Sequence, residues 1–292
     1  MSDQGDRTAD AADATDTVSA ENVTDVTYAY AVARNTGTLA AAVDTLRGVA
    51  EAPVHLVAGT RGDGLVLVAS TVPARDFLEE ALKRHFEDLE WLEAVARAHH
   101  HVIEALARRT TVLPLRLATV YLDDTRARGV LDDGWSAFDE RADRLAGHVE
   151  WGVKIYADPS AAPAAADPAP SPGLSPGRAY LRGRREQRSA RDSVYAAAQR
   201  AAERVEAVGR DYAAGRARHR VQQGALAEAS GENIVNDAYL VALDHADDFR
   251  GEVSRAADGL DGVRIEVTGP WAPYSFATPP ESPDEAVEGA SR

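Results

Sequence analysis

Apolar positions fall along this chain in two alternating rhythms. Val26–Ala33 interleaves β-branched or aromatic side chains with small ones, which predicts a strand. Val54–Gly59 and Leu65–Ser70 predict two more, separated by "TRGDG", whose Asp-Gly suits a hairpin turn at positive φ. Thr38–Val49, rich in Ala, Leu and Val, predicts a short helix. From Ala74 to Arg108, positions such as Leu78, Leu82, His85, Leu89, Leu92 and Val95 recur at steps of three and four. They form one stripe of a single long helix, with Pro73 at its first turn. Thr110–Tyr121 returns to strand character, and Pro114 marks an edge or a bulge. The order strand, helix, strand, strand, helix, strand fits a split βαβ, ferredoxin-like unit or a related α+β sandwich.

The second half repeats the mixture. Asp124–Val149 is helical with a break at Gly134, and His148–Asp158 predicts a strand. Pro159–Gly177 has no periodicity and reads as a flexible loop. A helix is predicted from Arg178 to about Ala229. Its stripe of Val194, Ala198, Ala201, Val205, Val208 and Tyr212 would pack on its own sheet or on a partner helix. Strand Ile234–Leu243, helix Asp247–Asp258, the turn "DGLDG" and strand Val263–Gly269 complete the pattern. The fold class is therefore α+β, with two domains, each a small mixed or antiparallel sheet with helices, plus a long Arg-rich helix. The boundaries are an N-terminal domain over 26–121, connecting helices over 122–147 and a C-terminal domain over 148–276.

Composition changes this picture mainly at the ends. Residues 1–25 carry seven acids and one arginine with almost no large apolar side chains, and 277–292 carry four acids and one arginine. Both read as disordered acidic segments, because they have little apolar surface to bury. The N-terminus lacks the basic and apolar regions of a signal peptide, and no run of about 18 apolar residues occurs, which predicts a cytoplasmic protein without membrane insertion. Zero cysteines exclude disulfides, thiolate metal sites and cysteine nucleophiles. The net charge of −15 opposes generic attraction to nucleic acid. Against that background, 178–220 hold twelve arginines and five acids. This one basic segment is a candidate docking surface for an acidic protein. An RNA- or DNA-binding role is the alternative, weakened by the lack of interleaved aromatics and by acids spaced for i,i+4 pairing.

Candidate chemistry is sparse. His99, His100 and His101 are adjacent on a helix, where successive side chains point about 100° apart, so they cannot converge on one metal. No metal or cofactor is predicted. Asp123/Asp124 and Asp132/Asp133 read as caps and solvated charges. No phosphate loop, nucleophile elbow or zinc-hydrolase motif occurs. The alternative to a non-catalytic protein is a hydrolase whose site is scattered through an α+β scaffold.

Four blocks together resemble one family. "AHHHVIEALARRTTVLPLRLATVY" (98–121), "VEWGVKIY" (149–156), "NDAYLVALDHADDFRGEV" (236–253) and "VRIEVTGPWAPYSFA" (263–277) are similar to segments of gas vesicle proteins of the GvpL/GvpF family. The resemblance runs from Val26 to Ala277. Where the family has phenylalanine-glycine, this chain has Leu117–Ala118, and its "WAP" at Trp271–Pro273 also departs from the family's ending. Both exchanges are expected to preserve packing.

The resemblance implies a two-domain accessory protein of gas vesicle formation, located in the cytoplasm or at the gas vesicle. It implies binding to the small hydrophobic shell protein and to other gas vesicle accessory proteins, with no enzymatic activity. The candidate partner-binding residues are Arg116, Trp151, Lys154, Arg184, Arg185, Arg188, Trp271 and Tyr274. No catalytic residue is assigned.

Overall fold

The computed structural model describes residues 24–62, 64–85, 87–160, 176–221 and 231–277. The acidic leader up to residue 23, the acidic tail beyond 277 and most of the predicted loop 159–177 lie outside the described residues. Two antiparallel sheets organise the chain.

The first sheet contains β1 (Asp25–Arg34), β2 (Val54–Ala58), β3 (Leu65–Pro73), β4 (Val112–Pro114) and β5 (Val120–Tyr121). Its order is β2-β3-β1-β4, with β5 also on β1. β1 and β3 are buried at almost every position. Half-buried antiparallel strands alternate apolar and polar residues, so continuous burial requires cover on both faces. One face carries α1 (Leu39–Val43), α2 (Ala74–Phe77), α3 (Glu79–His85) and α4 (Leu89–Ala107), which enclose Tyr28, Tyr30 and Val68 with Phe77, Val102 and Ile103. The other face carries α5 (Asp124–Asp133) and α6 (Trp135–Leu145), whose Leu131 and Leu145 meet Val32, Leu67 and Leu113. The helices expected to be mere connectors thus form a layer of this core. Polar contacts anchor them: the Arg34 guanidinium bonds Asp139 and Asp143, and the Thr27 hydroxyl donates to Asp124 Oδ1 at 2.8 Å.

The second sheet contains β6 (His148–Ala157), β7 (Ala213–Arg218), β8 (Glu232–Ala242) and β9 (Val263–Trp271), in the order β7-β8-β6-β9. One face is covered by α7 (Pro176–Tyr212) and α8 (Ala246–Arg255), which close over Trp151, Ile155, Tyr239 and Val241. The six main elements of each half follow one plan: the first and third strands lie in the middle, the second and fourth at the edges.

Three sequence-based elements differ. The predicted helix Ala74–Arg108 is interrupted twice. Leu78 is extended at φ −72° and ψ 157°, and Asp88 starts a new helix by accepting from the Glu90 and Trp91 amides, both at 3.1 Å. The strand Thr110–Tyr121 is two short pieces around a loop in which Ala118 has φ +60°. The helix predicted to reach Ala229 ends at Tyr212, after which Ala213–Arg218 pairs with β8. Pairing outweighs the low strand propensity of "AAGRAR". The stripe from Val194 to Tyr212 packs on the chain's own sheet.

Candidate partner-binding surface

The most densely connected surface feature is the end of β9 together with α9 (Tyr274–Ala277). Gly269 begins it at φ +130°, where a Cβ would stand 2.8 Å from the Glu150 carbonyl oxygen and 3.0 Å from the Trp151 ring. The Gly269–Pro270 peptide is cis. The chain then lays Trp271 and Tyr274 against α4. His100 lies between them, 5.3 Å from the Trp271 ring centroid and 6.1 Å from that of Tyr274.

His100 has a polar partner on each side of its ring. Nε2 faces Glu104 Oε1 at 3.3 Å and Nδ1 faces the Tyr274 hydroxyl at 3.2 Å. Burial pushes the Tyr274 hydroxyl well above its usual pKa.

Ser275 makes the matching contacts toward the second sheet. Its amide and its hydroxyl both donate to the buried Glu150 carboxylate at 2.7 Å, and its oxygen accepts from His219 Nε2 at 3.0 Å. Burial raises the Glu150 pKa, while the Ser275 bonds oppose that rise. The serine hydrogen is committed to the Glu150 carboxylate and its lone pair to the His219 imidazole. Phe276 packs over Gly215, where a Cβ would approach its ring to 3.2 Å, and Arg141 Nη1 donates to the Ala277 carbonyl at 3.0 Å. The C-terminal segment therefore touches α4, α6, β6 and β7.

Beside it opens a cleft of about 540 Å³. Leu145, Val149, Leu243, Trp271 and Pro273 give it an apolar lining, and Glu104, Arg108 and Arg109 stand at its rim. Leu243 stands 60% exposed beside this recess.

The basic segment forms a second, separate surface. The described side chains from Arg178 to Ser193 are all exposed or half-buried, and the first buried residue of α7 is Val194. Arg184, Arg185, Arg188 and Arg191 line an open hollow of about 610 Å³ on this overhang. Three other arginines of the segment have partners within the chain. Arg204 bonds the Ala256 and Asp258 carbonyls, Arg216 bonds Glu206 and the buried Asp237, and Arg182 pairs with Glu186. Arg184, Arg185, Arg188 and Arg191 gather at one end of the helix, while Arg200, Arg210, Arg218 and Arg220 stand exposed farther along the segment.

The remaining candidates are scattered. Arg116 is exposed in the β4–β5 loop, not within a strand. Trp151 is 2% exposed beneath α7 and α8, and this burial removes it from any partner surface. Lys154 lies in mid-β6 opposite Glu266 and Asn236. Of the predicted residues, the structure brings together Trp271 with Tyr274, and Arg184 with Arg185 and Arg188.

Sequence reasoning missed His100, Glu150, Ser275 and Leu243. His100 had a legible signal as a histidine one step off the apolar stripe; Glu150 gave one only as an acid within an apolar strand. Among the described residues, no group of three or more potential ligands is placed to hold a metal, and no helix is long and apolar enough to cross a membrane.

Comparison with known proteins places these features in one lineage. The family model described as "Gas vesicle synthesis protein GvpL/GvpF" matches residues 26–278. The gas vesicle protein L of Streptomyces sp. (strain CB03234) is 41% identical over 267 residues, covering 91% of this chain and 97% of that protein. The gas vesicle protein F of the same strain is 28% identical over 201 residues, covering 65% and 80%. The crystal structure of GvpF from Anabaena sp. PCC7120 superposes with a TM-score of 0.58 at 19% identity, covering 88% of this chain and 98% of that one. GvpF from Microcystis aeruginosa gives 0.55 at 21% identity, covering 87% and 99%. These structures share the fold of two antiparallel sheets with helices, and the sequence matches carry the family. The chain belongs to the GvpL/GvpF family of gas vesicle synthesis proteins and has a role in gas vesicle formation.

Proposed function

We propose that the protein is a non-catalytic assembly factor that shields the small hydrophobic shell protein before it enters the vesicle wall. The observation that carries this reading is the apolar cleft beside Trp271, with Leu243 exposed at its edge. A shell subunit with an apolar face is an aggregation hazard until it assembles, and a recess of this kind is suited to cover part of such a face. The acidic chain, at net −15 over its full length, keeps the complex dispersed. The Arg184–Arg185–Arg188 overhang engages acidic gas vesicle accessory proteins, where charge complementarity speeds encounter and selects partners. We place this activity at the gas vesicle and in the cytoplasm.

We further read the two halves, 26–121 and 148–276, as ferredoxin-like units fused in tandem. The repeated strand order supports this reading. The greater identity to the L protein than to the F protein of one strain supports an L-type role.

Co-purification with each gas vesicle protein tests the proposal. Deleting 178–220 is a poor test, because it removes the buried face of α7 and the whole of β7. Point variants separate the surfaces instead. Leu243→Asp should abolish retention of the shell protein while leaving acidic partners bound. The triple variant Arg184→Glu/Arg185→Glu/Arg188→Glu should do the reverse and reduce the salt dependence of the remaining binding. Undiminished shell-protein retention by Leu243→Asp would sink the cleft assignment.

A further inference from the structure

The last strand of the second sheet is an open edge. β9 pairs with β6 on one side, and no strand among the described residues lies on the other. The Gly262 carbonyl accepts from the Asp158 amide at 2.8 Å, and the β6 register then runs without a bulge from Ala157↔Val263 to Gly152↔Thr268. Main-chain groups of an antiparallel strand point alternately to its two neighbours. Arg264, Glu266 and Thr268 therefore bond β6, and the N–H and C=O groups of Val263, Ile265 and Val267 face outward. Among the described residues nothing bonds these outward groups. The proline and the register shift of β9 lie beyond Thr268, and within Val263–Thr268 the edge carries only the oppositely charged Arg264 and Glu266 on one face.

We propose that this edge pairs with the same strand of a second copy, joining two four-stranded sheets into one across a two-fold axis at Ile265. The charges select this register. Arg264 and Glu266 lie on one face, 3.1 Å apart, with side chains 47% and 38% exposed. In an antiparallel pair centred on Ile265, Arg264 faces the partner's Glu266, and Glu266 faces the partner's Arg264. Val263 faces the partner's Val267, and Ile265 faces the partner's Ile265. Three hydrogen-bonded residue pairs supply about six main-chain bonds.

A shift of the axis to Arg264 or to Glu266 sets like charges against each other, which is unfavourable across strands. A one-residue slip turns the Arg264/Glu266 face onto the core side. The opposite edge of the sheet lacks this self-complementarity. On β7, Arg216 and Arg218 share a face, so the equivalent two-fold pairing would oppose arginine to arginine. The interface is isologous and closed, so it yields a dimer and not a filament. The proposal is independent of the cleft and of the basic overhang.

Sedimentation velocity of the full chain over a concentration series provides the test. The expected result is a concentration-dependent dimer. Arg264→Glu places acid against acid twice and should weaken it by about tenfold or more. The swap Arg264→Glu/Glu266→Arg restores both pairs and should return the dissociation constant to within about threefold. Arg264 is exposed on one side and stacks on Tyr156 at 4.1 Å on the other, so circular dichroism and the urea midpoint verify that these variants keep the fold. As a second measurement, Ile265→Cys introduces the only cysteine of the chain at the axis and should give a covalent dimer on mild oxidation. A chain that stays monomeric throughout, a dimer indifferent to Arg264→Glu, or a β9 edge occupied only by a different gas vesicle protein would each overturn self-pairing.

Discussion

Ala118 shows how a residue can be read correctly in type and missed in conformation. Small and apolar, it stands where the resembling family carries glycine, and packing alone makes the exchange appear neutral. The backbone there has φ +60°, its amide donates to the Tyr28 hydroxyl at 3.1 Å, and a side-chain-bearing residue is strained in that region. Ala118→Gly should therefore raise stability by about 1 kcal/mol, despite the extra freedom glycine gives the unfolded chain. The urea midpoint at constant m-value measures it. Nearby, Tyr28 passes the same amide bond on to His99 Nδ1 at 3.0 Å, and burial lowers the His99 pKa to about 4. Between roughly pH 6.5 and 4 the unfolded chain binds a proton at this histidine that the folded chain does not, so stability falls with pH by up to about 3 kcal/mol. Glu150 acts oppositely. Its raised pKa makes the folded state the better proton binder as pH falls through that value. Urea titrations at pH 7.5 and 4.5 should show a net loss on acidification that shrinks in His99→Gln and grows in Glu150→Gln.

At the scale of elements, the apolar runs located β1, β2 and β3 of the first sheet and merged β4 and β5 into one strand. Periodicity failed where a local capping choice or pairing decided the outcome. The stripe from Leu78 to Leu106 continues across the break at Asp88, so the period alone gave one helix. The Asp at 88, followed by an acid two residues on, was the available N-cap signal. The second sheet's β7 gave no signal of its own, and it exists because β8 offers hydrogen bonds along its length. The long helix shows both halves of this lesson. From Val194 onward its stripe is core, while the arginine-rich turns before it extend beyond the sheet. Substitutions should therefore divide sharply by position. The triple Arg184/Arg185/Arg188→Glu variant should stay within about 0.5 kcal/mol of the parent in urea unfolding, since none of these side chains is buried. Phe249→Ala, on the helix facing this one across the buried Tyr239, should cost about 3–5 kcal/mol. Equal effects from the two would mean that the overhang is packed against something.

Across the whole molecule, the two halves are joined less by the sequence between them than by the last residues of the fold. Leu240, Phe276 and Ala277 belong to the same apolar cluster as Leu113, Leu131 and Leu145 of the first half. Tyr274 and Ala272 join the other face of that half through α4. "TGPWAPYSFA" stood out in the sequence for its aromatics, but nothing local revealed where they would pack, because their partners are distant in the chain: His100 for Trp271 and Tyr274, and Gly215 for Phe276. The geometry implies that the halves unfold together only while this segment is seated. In the parent, tryptophan fluorescence and far-ultraviolet circular dichroism should report one coincident thermal transition. Tyr274→Ala/Phe276→Ala removes the ring beside His100 and the ring over Gly215, while leaving the Ser275–Glu150 bonds and the central strands of both sheets untouched. Each half retains its own helices on its own sheet, so the expected outcome is a separation of the two curves and not simply a lower common midpoint. Coincident curves in the double variant would show that these two rings do not couple the halves, leaving Leu240, Ala272, Ala277 and the Trp271–His100 contact to do so.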